Sequence, residues 1–101
     1  MSVKGIVASL QQVTFSRDSN PMRNFKFHDN TGKCVACIAF GRQTDFNASA
    51  DGDEVVLFFA QALLGNQNHN GALWLYDTAH IVLLRQDCLI PPVHETIELR
   101  A

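Results

Sequence analysis

A chain of 101 residues is long enough for one domain with one core and too short for two. With 47% hydrophobic and 18% charged residues it reads as globular rather than disordered, and no apolar run approaches the roughly 20 residues a membrane helix needs. A net charge of −2 counts against a strongly basic nucleic-acid binder, although a local cationic stripe is compatible with it.

The punctuation along the chain is even. Val3 to Val13 is apolar-rich with polar interruptions, followed by a turn-rich stretch from Ser16 to Pro21. Arg23 to His28 alternates strictly between polar and apolar residues, the clearest strand signal in the chain. It stops at Asp29-Asn30-Thr31-Gly32, a sequence that favours a tight turn, and Lys33 to Phe40 then completes a predicted β-hairpin over Arg23 to Phe40. Gly41 to Asp53 is polar and reads as a short helix or turn capped by Thr44 or Asp45. Val55 to Ala62 reads as a buried strand, its end from Ala60 to Leu64 compatible with strand or helix. Gly65 to Gly71 is a loop, and Ala72 to Leu84 a last strand kinked near Asp77-Thr78. Pro91-Pro92 ends the regular structure, so residues 1–90 form the domain and 91–101 an extended or loosely held tail. Five strands with evenly spaced turns and no βαβ spacing predict an all-β barrel or sandwich with small α content.

The order of these features from Phe25 to Leu84 resembles the DNA-binding domains of the replication protein A large subunit. Asp29-Asn30-Thr31-Gly32 looks like the acidic-glycine turn between strands two and three of that family, and Val35 to Gly41 like its third strand. Thr44-Asp45-Phe46 looks like the start of its connecting helix. Val55 to Phe58 and Leu73 to Leu84 match its fourth and fifth strands, and Lys4-Gly5-Ile6-Val7 its first. The resemblance implies a five-stranded OB-fold Greek-key barrel with a short helix or turn between strands three and four. It also implies binding of single-stranded DNA in replication, repair or recombination, in the nucleus or elsewhere inside the cell. Partners would be single-stranded DNA or RNA, which the sequence does not separate, and other subunits of a replication or repair complex. The chain lacks the cysteine-ligated zinc ribbon of one domain of that family, and also its second stacking aromatic in the loop between strands four and five.

In such a barrel strands two and three form the binding face, flanked by the loops from strand one to two and four to five. Bases stack on aromatic rings and phosphates meet cations. Alternation places Ala36, Ile38, Phe40 and Arg42 on one face of the third strand, with Phe40 as the stacking platform the resemblance assigns and Arg42 as a cation beside it. On the second strand Asn24, Lys26 and His28 share the opposite face from Phe25 and Phe27, which puts Lys26 and His28 on the exposed side beside Phe40. Arg17 lies in the first flanking loop as a phosphate contact, with Phe15 before it read as the anchor of that loop. Trp74 and Tyr76 share a face opposite Leu73 and Leu75, and Trp74 is a further stacking candidate. Asn68 and His69 in the amide-rich loop are candidate base contacts.

The three cysteines are an odd number and suggest a reducing compartment rather than a secreted disulfide framework. Met1 to Gly5 has no apolar leader core. Cys34 and Cys37 have the spacing of a metal or redox motif, but a second pair is missing and residues three apart on a strand diverge, so buried structural cysteines are expected. Asp51, Asp53 and Glu54 read as a solvated acidic turn. No phosphate loop, nucleophile elbow or catalytic constellation is present, so neither an enzyme nor a metal or cofactor is expected. The competing reading is a protein-interaction OB domain, favoured by the net acidity and by Ile38 on the would-be binding face.

Overall fold

The computed structural model describes residues 2–44, 50–65 and 71–99. Strand β1 spans Ser2–Ala8, β2 Thr14–Phe15, β3 Pro21–His28 and β4 Lys33–Phe40. A single 3₁₀ turn, Gly41–Thr44, follows. Then come β5 (Glu54–Phe58), β6 (Gln61–Leu63), β7 (Ala72–Leu75), β8 (His80–Arg85) and β9 (Glu95–Thr96).

The β3–β4 hairpin is the one predicted from alternation, in a register running from Met22 opposite Phe40 to His28 opposite Cys34. Its turn is held by Asp29, whose Oδ1 accepts from the Thr31 amide (2.8 Å), the Thr31 hydroxyl (2.7 Å) and the Lys33 amide (3.0 Å). Gly32 takes φ +89°, a conformation that side chains with a Cβ rarely adopt. Phe25 and Phe27 point inward and are buried, while Asn24 and Lys26 are exposed.

β1 serves two ladders. Its first half pairs with β5 and its second half with β3. At Gly5 the strand passes close to β3, where a Cβ would lie 2.6 Å from the His28 carbonyl oxygen and 2.9 Å from the Phe27 ring. Only glycine admits that approach.

The run expected as one strand from Val55 to Ala62 is two. β5 ends at Phe58, Phe59 turns the backbone at φ +59°, and β6 continues in a new direction. The last predicted strand is divided likewise between β7 and β8, at the Asp77–Thr78 kink the sequence signals. The broken hairpin therefore pairs twice, β6 with β7 and β5 with β8. β7 also runs parallel to β4. The ladder order is β6–β7–β4–β3–β1–β5–β8, and its ends are not joined. Because the same hairpin supplies both ends, the strip curls around one core of Val7, Phe25, Phe27, Cys37, Leu57 and Leu75 with their neighbours.

Of the apolar-rich stretch from Val3 to Val13, the first strand takes in only the part up to Ala8. Residues 14–22 form a small hairpin in which Thr14 pairs with Met22. Phe15 is 69% exposed, so it does not anchor this loop as expected. After Pro91-Pro92, residues 93–99 are held against the barrel. β9 runs parallel to β4 at Lys33 and Cys34, the Ile97 amide donates to Cys34, and Leu99 packs against the core.

Candidate functional site

The outward face of β3, β4 and β7 carries the candidate residues. Parallel pairing of β4 with β7 sets Trp74 beside Ile38, and antiparallel pairing on either side adds Asn24 and Gln61 to the same row. One row further on, Phe40 meets Tyr76. Their rings stack at 5.3 Å with 13° between planes. Trp74 lies 4.9 Å from Phe40 and 5.7 Å from Tyr76, both tilted. All three separations fall within the 4.5–7 Å range of favourable aromatic pairs. Each of the three residues is half-buried, so the cluster is supported from below and open above. The alternate residues Leu73 and Leu75 are buried in the core, which fixes the direction of the rings.

Beside this cluster is a groove of about 360 Å³ lined by Asn20, Phe40, Gly41, Tyr76, Asp77 and Thr78. Asn20 comes from the β2–β3 turn and Asp77 and Thr78 from the β7–β8 bend, so both walls are loops and the floor is aromatic.

The cations are less concentrated than the alternation implied. Lys26 is exposed on the expected face, but it pairs with Ala36, four residues along β4 from Phe40. At about 3.4 Å per residue this separates the two by roughly 14 Å. Arg42 is exposed beside the cluster, where its Nη2 donates to the Asp77 carbonyl (3.0 Å) and its Nε lies 3.9 Å from the Asp77 carboxylate. Its charge is therefore shared with Asp77. Arg17 is exposed at the tip of the turn between β2 and β3. Arg23 ties loops together, donating to the carbonyls of Gln11 (2.7 Å) and Thr44 (3.4 Å).

His28 is not part of an exposed platform. It is only 8% exposed, at the far end of β3 from the aromatic cluster. Its Nδ1 lies 3.1 Å from the Pro91 carbonyl. A carbonyl only accepts, so Nδ1 carries the proton. The strand period gave its face correctly, but the returning tail covers it. Asn68 and His69 lie outside the described residues. Tyr76, which sequence reasoning left out of the candidate set, completes the cluster. Its shared face with Trp74 was legible, but its contact with Phe40 depends on the long-range β4–β7 register.

The remaining chemistry-bearing residues have structural partners. Cys37 is buried in the core, and burial pushes its thiol well above the ordinary range. Cys34, also buried, faces the Thr96 hydroxyl at 3.6 Å. The acidic turn is not simply solvated. Asp53 is 2% exposed and accepts from the Ala50 amide (2.8 Å), Asp51 accepts from the Leu10 amide (2.9 Å), and Glu54 pairs with Arg85 (3.1 Å). The Arg85 guanidinium holds the Glu54 carboxyl below its usual range. No helix among the described residues is long and apolar enough to cross a membrane.

No protein-family model and no curated protein sequence matches the chain. Among solved structures it is similar to the OB domain of Ta0387 from Thermoplasma acidophilum, determined in solution by NMR. The TM-score is 0.63 at 20% sequence identity, over 83% of this chain and 74% of that one. At that identity the likeness defines the fold. The chain is an OB-fold domain, its five Greek-key strands being β1, β3, β4, the broken β5–β6 and the broken β7–β8, with the 3₁₀ turn Gly41–Thr44 after the third.

Proposed function

We propose that the outward face of β3, β4 and β7 binds single-stranded nucleic acid, chiefly DNA, with little sequence preference. The observation that carries this reading is the half-open cluster of Phe40, Trp74 and Tyr76 beside a loop-walled groove. Every base has a π-face, so stacking on such rings is sequence-tolerant. Lys26 at one end of the face and Arg17 on the flanking turn would meet phosphates, with Arg42 contributing part of a charge. With so few cations the affinity rests on stacking more than on charge, and a single module of this kind binds weakly unless linked to others. The sequence resemblance to the replication protein A domains supports the same reading and would suit a role in replication, repair or recombination inside the cell. The role is that of a binding module rather than an enzyme.

One observation favours a second reading. Ile38 sits half-buried between Asn24 and Trp74, so the centre of the face is apolar, as a partner protein in a DNA-maintenance complex would need. Fluorescence anisotropy of a labelled oligonucleotide of about 10–20 bases, which spans OB-fold site sizes, separates the two. Binding that weakens with salt and collapses in Trp74→Ala supports the nucleic-acid reading. No binding at low salt leaves the protein interface.

A further inference from the structure

β8 pairs with β5 on one side, and its other edge has no partner strand among the described residues. Native sheets blunt such edges with lysine, proline, an inward charge or a bulge. Ile81 to Leu83 carries no charge or proline, and the bulge lies just beyond it, where Arg85 pairs with Glu54 and Leu83 with Val55 and Leu84 is left as the extra residue of β8. Val82, Leu83 and Leu84 are 43%, 37% and 45% exposed. Next to them at the β5–β6 kink, Phe58 is 38% and Phe59 61% exposed. Phe59 holds φ +59°, a strained conformation for a bulky residue, with its ring edge-on to His80 at 6.2 Å. Taking roughly 200 Å² for a whole Phe side chain and somewhat less for Val and Leu, these residues expose on the order of 400 Å² of apolar surface, within the range of the largest patch on a monomer. Even with the strand backbone added, this stays below the roughly 800 Å² per partner of a standard interface, which suits a weak, concentration-dependent dimer.

We propose that β8 is a self-association edge, on which a second copy of this chain pairs its own β8 antiparallel across a two-fold axis. The occupant follows from the strand's own pattern. A two-fold normal to the sheet sets outward residue against outward residue, so the axis passes through a residue of β8. Centred on Val82, it places Ile81 opposite Leu83, inside the bulge at Leu84, with no like charges facing. Arg85 falls outside the apolar centre and keeps its pair with Glu54. The Phe59 rings flank the seam. β8 pairs with β5 and is not one of the strands of the aromatic face. The inference stands independently of what that face binds.

Light scattering on the eluting full chain, loaded from about 1 μM to about 1 mM, tests it across the range where weak interfaces form. The mass should move from one chain towards two. Val82→Lys sets two ammonium groups against each other at the axis and should weaken the dimer by about tenfold or more. Phe59→Gly removes the ring and relieves the positive φ. It should also weaken association while leaving the monomer's thermal midpoint no lower, which keeps the test sound should the lysine variant misfold. A single-chain mass at every concentration overturns the proposal. So does a dimer that both variants leave intact, or open-ended assembly, since a two-fold contact closes on itself.

Discussion

Replacing Phe40 by alanine separates two roles of one ring. In the free protein Phe40 contacts Trp74 at 4.9 Å and Tyr76 at 5.3 Å. Aromatic pairs of this geometry contribute about 0.5–1.5 kcal/mol each, so the truncation should cost about 1–3 kcal/mol of stability. That is below the roughly 3–5 kcal/mol of a fully buried Phe→Ala change, because Phe40 is only half-buried. A domain of ordinary stability, about 5–15 kcal/mol, stays folded at 25 °C. Loss of one stacked base costs a further 1–3 kcal/mol of binding, or about 5- to 150-fold in Kd. Phe40→Leu restores apolar bulk without a flat π-face and should recover the part of the stability that comes from burial, but little of the affinity. Thermal unfolding by circular dichroism and anisotropy titrations measure the two quantities separately. A folded Phe40→Ala protein with unchanged Kd, or a Phe40→Leu protein that binds like wild type, would show that the ring only fills space.

Three further outcomes test the fold around the site. Gly5→Ala drives a Cβ towards the His28 carbonyl and the Phe27 ring and should destabilise by about 1–3 kcal/mol or more, read as a lowered denaturation midpoint. An unchanged midpoint would mean β1 does not approach β3 that closely there. The Thr31 hydroxyl and then the Lys33 amide hold the Asp29 carboxyl below its usual range. A lowered carboxylate contributes stability that is present above its unfolded-state pKa and lost as pH falls through the folded value. The stability gap between wild type and Asp29→Ala should therefore narrow on acidification, and the NMR titration of Asp29 should move upward in Thr31→Val. Cys37, its thiol pushed up by burial, and buried Cys34 should resist a thiol reagent that modifies the more accessible Cys88. Equal rates for all three in the native state would contradict the core as described.

Much of this fold was legible in the sequence, because local signals agreed with it. Alternation from Arg23 to His28 and the Asp29–Gly32 turn specify the central hairpin, and Asp77-Thr78 marks a kink that is present. The break at Phe59 was not legible. Val55 to Leu64 is nearly all apolar, so it has no period to interrupt, and a phenylalanine at positive φ runs against local preference. The site was half legible for a related reason. A strand period of two fixes which face a residue occupies, but neither its distance along that face nor what covers it. Hence Lys26 was placed on the correct face yet beside Phe40, and His28 was read as exposed although a carbonyl 63 residues away caps it. The meeting of Phe40 with Tyr76 needs the parallel β4–β7 register, a long-range choice with no local signature.

Trp74 is the only tryptophan of the chain and stands inside the proposed site, so its fluorescence reports the central claim directly. Titrating the protein with a single-stranded oligonucleotide at low salt should quench that emission as bases stack beside it, saturably. Added salt should reverse the quenching with a shallow slope, reflecting the few phosphates that Lys26, Arg17 and Arg42 can meet. Emission that stays constant while the oligonucleotide binds would place the strand elsewhere on the barrel and contradict the stacking face.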